Sequence, residues 1–174
     1  MSAARSKATK KRLVVDANIL RGASRTDGGP PAGVLCRSVL QSILRVCHRA
    51  VVSSDLQREY DLHASGFGTR WLSAMRAKSK VVPTPARETK RARRWLQDAE
   101  ELSSAKRREL AKDMHLILAA LETDSLVVSA ERSVRAILEA VLQETDPPLG
   151  WAVISSSIDS WLETGTPIDD VKIV

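Results

Sequence analysis

Short apolar runs alternate along this chain with stretches whose apolar residues recur every three or four positions. The short runs are "RLVVD" (12–16), "RAVVSS" (49–54), "SKVVP" (79–83), "SLVVS" (125–129) and "WAVIS" (151–155). They lack the alternation of a half-buried strand and read as strands covered on both faces. Between them, Leu35, Val39, Ile43 and Val46 repeat with helical spacing, as do Val134, Ile137, Leu138, Val141 and Leu142. "RGASRTDGGPPAG" (21–33) reads as a Gly/Pro-rich loop, and Ser54 with Gln57 as a capping box that opens a helix. Pro83 stops the third strand. Residues 84–121 read as helical in two or three pieces, "DPPLG" (146–150) as a turn, and "SIDSWLE" (157–163) as a short helix.

Strands alternating with helices predict a three-layer α/β/α fold around a central, mostly parallel sheet of about five strands. Residues 1–11 read as a basic tail, and residues 12–174 as one domain that carries a charged helical stretch at 85–112. In open sheets of this kind, ligands bind beyond the carboxyl ends of the strands. Asp16 stands there, at the end of an apolar strand, where a carboxylate is expensive to bury.

Three further acids occupy places that pattern alone would give to apolar residues. Leu56, Glu59, Tyr60 and His63 share one helical face, so Glu59 lies on a half-apolar side. Asp113 heads the apolar stripe of "KDMHLILAALE" (112–122), and Glu131 follows the fourth strand by two residues. Taken singly, each has an ordinary explanation: a turn residue, a boundary glutamate, or an acid favoured at a helix N-terminus. Together they predict four carboxylates at one edge of the sheet. Such a cluster repels itself and calls for a divalent cation, and hard oxygen donors suit Mg2+ or Mn2+.

Composition adds a partner class. The 174 residues carry a formal net charge of +6, which suggests a polyanionic partner. Aromatic residues make up only 3%, which argues against base stacking on an exposed aromatic platform. Cys36 and Cys47 fall in one predicted helix, about 16 Å apart at helical rise, too far for a disulfide. They read as small core residues of a cytoplasmic protein. No apolar stretch is long enough to span a bilayer, and the basic start "MSAARSKATKKR" lacks the apolar segment of a secretory signal.

"VVDANIL", "VVSSDLQREY", "KDMHLILAAL" and "LVVSAERS" resemble, in order and spacing, the four acid-bearing motifs of PIN-domain ribonucleases, over residues 12–162. "GPPAGVLCRSVL" (29–40) resembles the PIN subfamily of toxins from toxin–antitoxin pairs. The resemblance implies a PIN-like fold and a metal-dependent endoribonuclease that leaves a 5′-phosphate and a 3′-hydroxyl. Its catalytic and metal-holding residues would be Asp16, Glu59, Asp113 and Glu131, with Glu131 standing where many members carry aspartate. Asn18 matches the small polar residue that supports the first acid, and Ser129 a hydroxyl position near the site. Asp124 reads as a turn residue. The implied partners are RNA, an antitoxin protein and a second copy of the chain.

The stretch "RETKRARRWLQDAEELSSAKRREL" (87–110) departs from the compact toxin pattern. Arg87, Lys90, Arg91, Arg94, Lys106 and Arg107 admit two readings: a solvated helical pair laced with ion pairs, or a rail that guides RNA backbone to the acids. His48, His63 and His115 read as boundary or surface residues, and Trp71, Trp95, Trp151 and Trp161 as core or contact residues. Competing functions are a catalytically inactive PIN domain that binds RNA or protein, and a dehalogenase-like phosphatase. The phosphatase needs a second aspartate where Asn18 stands.

Overall fold

A computed structural model describes residues 10–23, 31–87, 90, 102–141, 149–155 and 158–164. The elements among them are β1 (Arg12–Val15), α1 (Ala17–Gly22), α2 (Pro31–Arg45), β2 (Arg49–Val52), α3 (Ser54–His63), α4 (Gly66–Ala77) and β3 (Val81–Pro83). They continue with α5 (Ser104–Lys112), α6 (Met114–Leu121), β4 (Leu126–Ser129), α7 (Arg132–Val141), β5 (Gly150–Val153) and α8 (Ile158–Thr164). The five strands form one sheet in the order β3-β2-β1-β4-β5, and every pairing is parallel rather than merely most of them. Helices flank the sheet, giving the three-layer α/β/α fold. Among the described residues, no helix is long and apolar enough to cross a membrane.

Apolar side chains on both faces explain the continuous runs. Leu13, Val14, Val15, Val51, Val127, Val128 and Trp151 are buried, with α6 packed against β1, β2 and β4 and α7 against β5. Trp71, Trp151 and Trp161 are all core residues. Two of them satisfy their indole N–H on backbone carbonyls, Trp71 on Leu40 at 2.6 Å and Trp151 on Glu131 at 3.2 Å. Trp95 lies outside the described residues.

The strand order reverses between β1 and β4. From β1 the chain builds outward through β2 and β3 on one side, then returns to build β4 and β5 on the other. Helices that follow the two halves diverge at this seam and leave a crevice at the carboxyl ends of β1 and β4. Asp16 and Ser129 stand at those two ends.

Several local readings need correction. The loop expected at 21–33 is shorter, because Arg21 and Gly22 close α1 while Pro31, Ala32 and Gly33 open α2. Pro31 at the first helical position needs no amide partner. Helix α1 was not foreseen, since six residues show too little periodicity. The cap of α3 is Ser53, whose hydroxyl accepts from Leu56 N at 3.2 Å, and not Ser54 with Gln57. The helical segment after β2 breaks at Ala64 and Ser65, where the Ser65 hydroxyl caps α4 and donates to Leu20 O at 2.7 Å. There α4 meets α1 so closely that a Cβ on Gly68 would lie 2.7 Å from Leu20 O. Cys36 lies in α2, but Cys47 falls two residues beyond its end.

The charged stretch is not helical at its start. After β3 the chain is held by Glu122, whose carboxylate accepts from Ala86 N at 3.1 Å, from Arg87 N at 2.8 Å and from the Thr84 hydroxyl. Asp124 occupies the turn before β4 and ties it to β1. It accepts from Arg12 N at 2.7 Å, Nε at 2.9 Å and Nη2 at 2.6 Å.

Candidate active site

Asp16 ends β1 and caps α1, with its Oδ1 accepting from Asn18 N at 3.0 Å. Its other oxygen, Oδ2, accepts from the Ser129 hydroxyl at 2.6 Å. Ser129 is fully buried, and its oxygen also accepts from Asn18 Nδ2 at 3.3 Å and Glu131 N at 2.9 Å. With both lone pairs taken, the single hydroxyl proton is directed to Asp16. Asn18 Oδ1 in turn accepts from Ala130 N at 3.2 Å, which fastens α1 to the end of β4. Asn18 and Ser129 therefore support Asp16, as expected. Beneath them, the buried Tyr60 hydroxyl donates to Val15 O.

Asp16, Glu59, Asp113, Glu131 and Asn18 line one open depression at this carboxyl edge. Four acids from four separate segments thus meet as the sequence predicted. Asp113 lies in the break between α5 and α6, and its side chain makes no capping bond to α6. A structural capping role therefore does not account for its carboxylate.

The electrostatics divide the acids into two groups. Asp16 is only 6% exposed. Burial pushes its carboxyl above the usual range, with the charge of Glu59 adding, against the opposing pull of the Ser129 and Asn18 hydrogen bonds and of His115. Asp113 is pushed up to about 6, by burial first, then by the charges of Asp16, Glu59 and Glu109, with His115 opposing. The Tyr60 phenol is raised well above its usual range by burial and then by Asp16 and Glu59. These residues share one field of uncompensated negative charge. Glu131 stands apart. Its carboxylate accepts from the Ser133 hydroxyl at 2.7 Å and the Ser133 amide at 3.2 Å, bonds that hold it below the usual range, aided by Lys112. Glu131 thus sits on the rim, turned onto the start of α7.

The depression contains residues that pattern reading did not supply. Glu109 is four residues before Asp113, so the two share a face at helical spacing, a signal available in the sequence. Arg21 and Lys112 also line it, and Lys112 pairs with Glu109 at 2.7 Å. One of the histidine expectations needs revision. His63 is exposed and lines the depression, but His48 is buried, with Nε2 on Leu162 O at 2.6 Å and Nδ1 accepting from Lys11 N at 3.2 Å. His115 is a boundary residue, as expected. Its side chain is 15% exposed and its Nε2 lies 3.2 Å from Glu59 Oε2.

Arg87, Lys90, Lys106 and Arg107 are exposed, and none lines the depression. Arg91 and Arg94 lie outside the described residues. Carboxylates whose charges raise the pKa of Asp16 and Asp113 are a donor set suited to a hard divalent cation. Among the described residues, no three His, Cys, Asp or Glu side chains stand together as a preformed metal cage. The carboxylates suit such an ion by donor type.

What the fold and site define is a doubly wound parallel α/β protein with an acidic depression at its topological switch point. No protein-family model matches the chain, and no curated protein matches it.

Proposed function

We propose that this chain is a metal-dependent endoribonuclease of the PIN type, which hydrolyses RNA phosphodiester bonds. The observation that supports this reading most is the convergence of Asp16, Glu59 and Asp113 in one depression where doubly wound sheets bind ligands, with the charge of Glu59 raising both aspartates and that of Asp16 raising Asp113. Asp16, Glu59 and Asp113 would hold Mg2+ or Mn2+. When bound, the ion supplies Lewis acidity and a water of lowered pKa.

The chain's own groups divide the work. Ser129 and Asn18 fix both Asp16 oxygens. His115 sits against Glu59. Arg21 and Lys112 bring positive charge to the rim, where a phosphate would enter. Water adds to phosphorus in line with the departing 3′ oxygen, the bond from phosphorus to that oxygen breaks, and the 3′ oxygen takes up a proton. The products are a 5′-phosphate and a 3′-hydroxyl. Glu131 orients α7 from the rim. An antitoxin that blocks the depression and a homodimer belong to the same proposal, on the strength of the toxin resemblance.

Purified protein should cut single-stranded RNA with Mg2+ or Mn2+, stop in EDTA, and lose activity as Asp16→Asn while still folding. An Asp16→Asn protein that cuts like wild type overturns the site. A folded wild type that binds RNA but never cuts it in Mn2+ replaces the enzyme with a binding module.

A further inference from the structure

A second open depression lies at the opposite end of the strands, where β1, β2 and β3 begin. It is lined by Lys10, Lys11, Arg12, Arg49, Lys78 and Lys80. The parallel register produces this convergence. Arg12 is level with Arg49, and Ala50 N bonds to Lys80 O at 2.8 Å, so the basic residues that open three neighbouring strands stand side by side. Adjacent strands are about 4.8 Å apart, close enough for the charges to act on one ligand.

A single acid, Asp124, faces the cluster, and it is committed to Arg12. Among the described residues, Lys10, Lys11, Arg49 and Lys78 have no carboxylate at ion-pair distance. Lys80 differs from these four, because its ammonium donates to the carbonyls of Leu44 (2.7 Å) and Val46 and anchors the end of α2 beneath the cluster. Burial first, and then the charge of Lys78, hold Lys80 below the usual ammonium range. Burial with the charges of Lys80 and Lys11 does the same to His48.

The molecule is therefore polarised along its strands. One end presents five acids against Arg21 and Lys112, and the other six cations against one acid. The acidic end repels a polyanion, so a strand of RNA needs an anchor elsewhere. We propose that the amino-edge cleft is a phosphate-backbone site for RNA, remote from the acidic depression. Ammonium and guanidinium groups contact phosphates without reading sequence. The large exposed apolar side chains among the described residues, Val34 and Leu62, both lie outside the cleft, so neither membrane insertion nor base stacking is provided for there.

Phosphate capture at this edge does not require that the acidic depression be catalytic. The experiment is run in EDTA, so its failure leaves the nuclease proposal standing. Fluorescence anisotropy of a labelled, mixed-sequence single-stranded RNA is followed through a salt titration. Arg49→Glu with Lys78→Glu should weaken binding about tenfold and make the salt slope shallower by about 1.4, which corresponds to two lost phosphate contacts. Arg58→Glu with Arg70→Glu carries the same change of net charge on α3 and α4 and should do far less. Equal losses in the two double variants, or an unchanged slope in the first, overturn the proposal. So do phosphatidylserine vesicles that compete as well as RNA and with the same residue dependence. If the first variant melts early, acetylation footprinting of wild type replaces it. RNA should shield Lys10, Lys11 and Lys78, and no shielding of these three overturns the site.

Discussion

Ser129 Oγ donates to Asp16 Oδ2 at 2.6 Å, across the seam where the strand order of the sheet reverses. The two residues are 113 positions apart in sequence. The bond links the carboxyl ends of β1 and β4, and its hydroxyl also receives Asn18 and the Glu131 amide. Asp16 is thereby held in one orientation in a place that burial alone would make hostile to its charge.

Ser129→Ala removes that bond and leaves the Asn18 amide and the Glu131 N–H short of an acceptor. A buried hydrogen bond to a charged group contributes about 1.5–3 kcal/mol, so urea denaturation should show a loss of that size. Support of this kind around a metal-holding residue is typically worth about 10–100-fold, and RNA cleavage should fall accordingly. An alanine variant indistinguishable from wild type in both measurements would mean that the network organises nothing.

Asp113→Asn separates function from structure in the break between α5 and α6. A residue that merely supports the helix would leave the asparagine variant neutral or less stable. A member of a like-charged cluster behaves oppositely: removing one charge relieves the others, so the melting temperature in EDTA should rise. The stabilisation that excess Mg2+ gives wild type by mass action should shrink, and cleavage should fall by orders of magnitude. Melting curves of both proteins with EDTA and with Mg2+ test the first two points. A variant that melts lower in EDTA and gains as much from Mg2+ as wild type removes Asp113 from the site.

Glu131 stands where the resemblance places a fourth acid, aspartate in many members, and its bonds to Ser133 set it apart from the other three. Glu131→Gln keeps an acceptor for Ser133 and should hold stability within about 0.5 kcal/mol, as for an ordinary surface change. Cleavage should stay within about tenfold of wild type, well above that of Asp113→Asn. Glu131→Ala loses the acceptor at the start of α7 and should cost about 1 kcal/mol, as helix caps do. If the glutamine variant is as inactive as Asp113→Asn, Glu131 holds metal and its bond to Ser133 is exchanged when the ion binds.

Three acids of the depression are residues that sequence alone could single out, and the physical reason is the same in each case. Asp16, Glu59 and Asp113 break an apolar pattern, and a broken pattern is visible in one dimension. The parallel sheet was legible because its strands are covered on both faces and its helices are long enough to show a period. Helix α1 was not, since its short run is fixed chiefly by the Asp16 cap and by packing on α2 and α3. Lys112, Arg21 and His115 break no pattern, and only the third dimension shows that Lys112 and Arg21 line the depression and that His115 meets Glu59. The amino-edge cleft was hidden likewise, because "KKR", "HR" and "KSK" become neighbours only through the strand register.

Two groups pull the stability of the metal-free protein in opposite directions as pH falls from 8 to 5. Asp113 has a native pKa of about 6 against an ordinary 3.8. Above 6 it is charged in both states, and its charge burdens the fold. As pH falls through 6 the native state takes up the proton first, and the native state gains. His48 does the reverse. Its native pKa lies below the ordinary 6.5, burial being the first cause, and its Nδ1 accepts from the Lys11 amide, which requires the neutral ring. The stability it contributes is present above 6.5 and is lost as pH falls and the unfolded chain protonates first. Variants resolve the two. In EDTA, Asp113→Asn should melt above wild type at pH 8, and that gap should narrow by about half by pH 5, closing fully only as pH falls through 3.8 and the unfolded chain is neutral too. In the Asp113→Asn background, His48→Gln should lower the melting temperature at pH 8, and by pH 5 the deficit should shrink because the histidine itself has become costly. Circular dichroism melts of the wild type and these variants at pH 8, 6.5 and 5 measure both gaps. A first gap that stays constant would show that Asp113 carries an ordinary carboxylate pKa, and a second constant gap would show the same of the His48 imidazole.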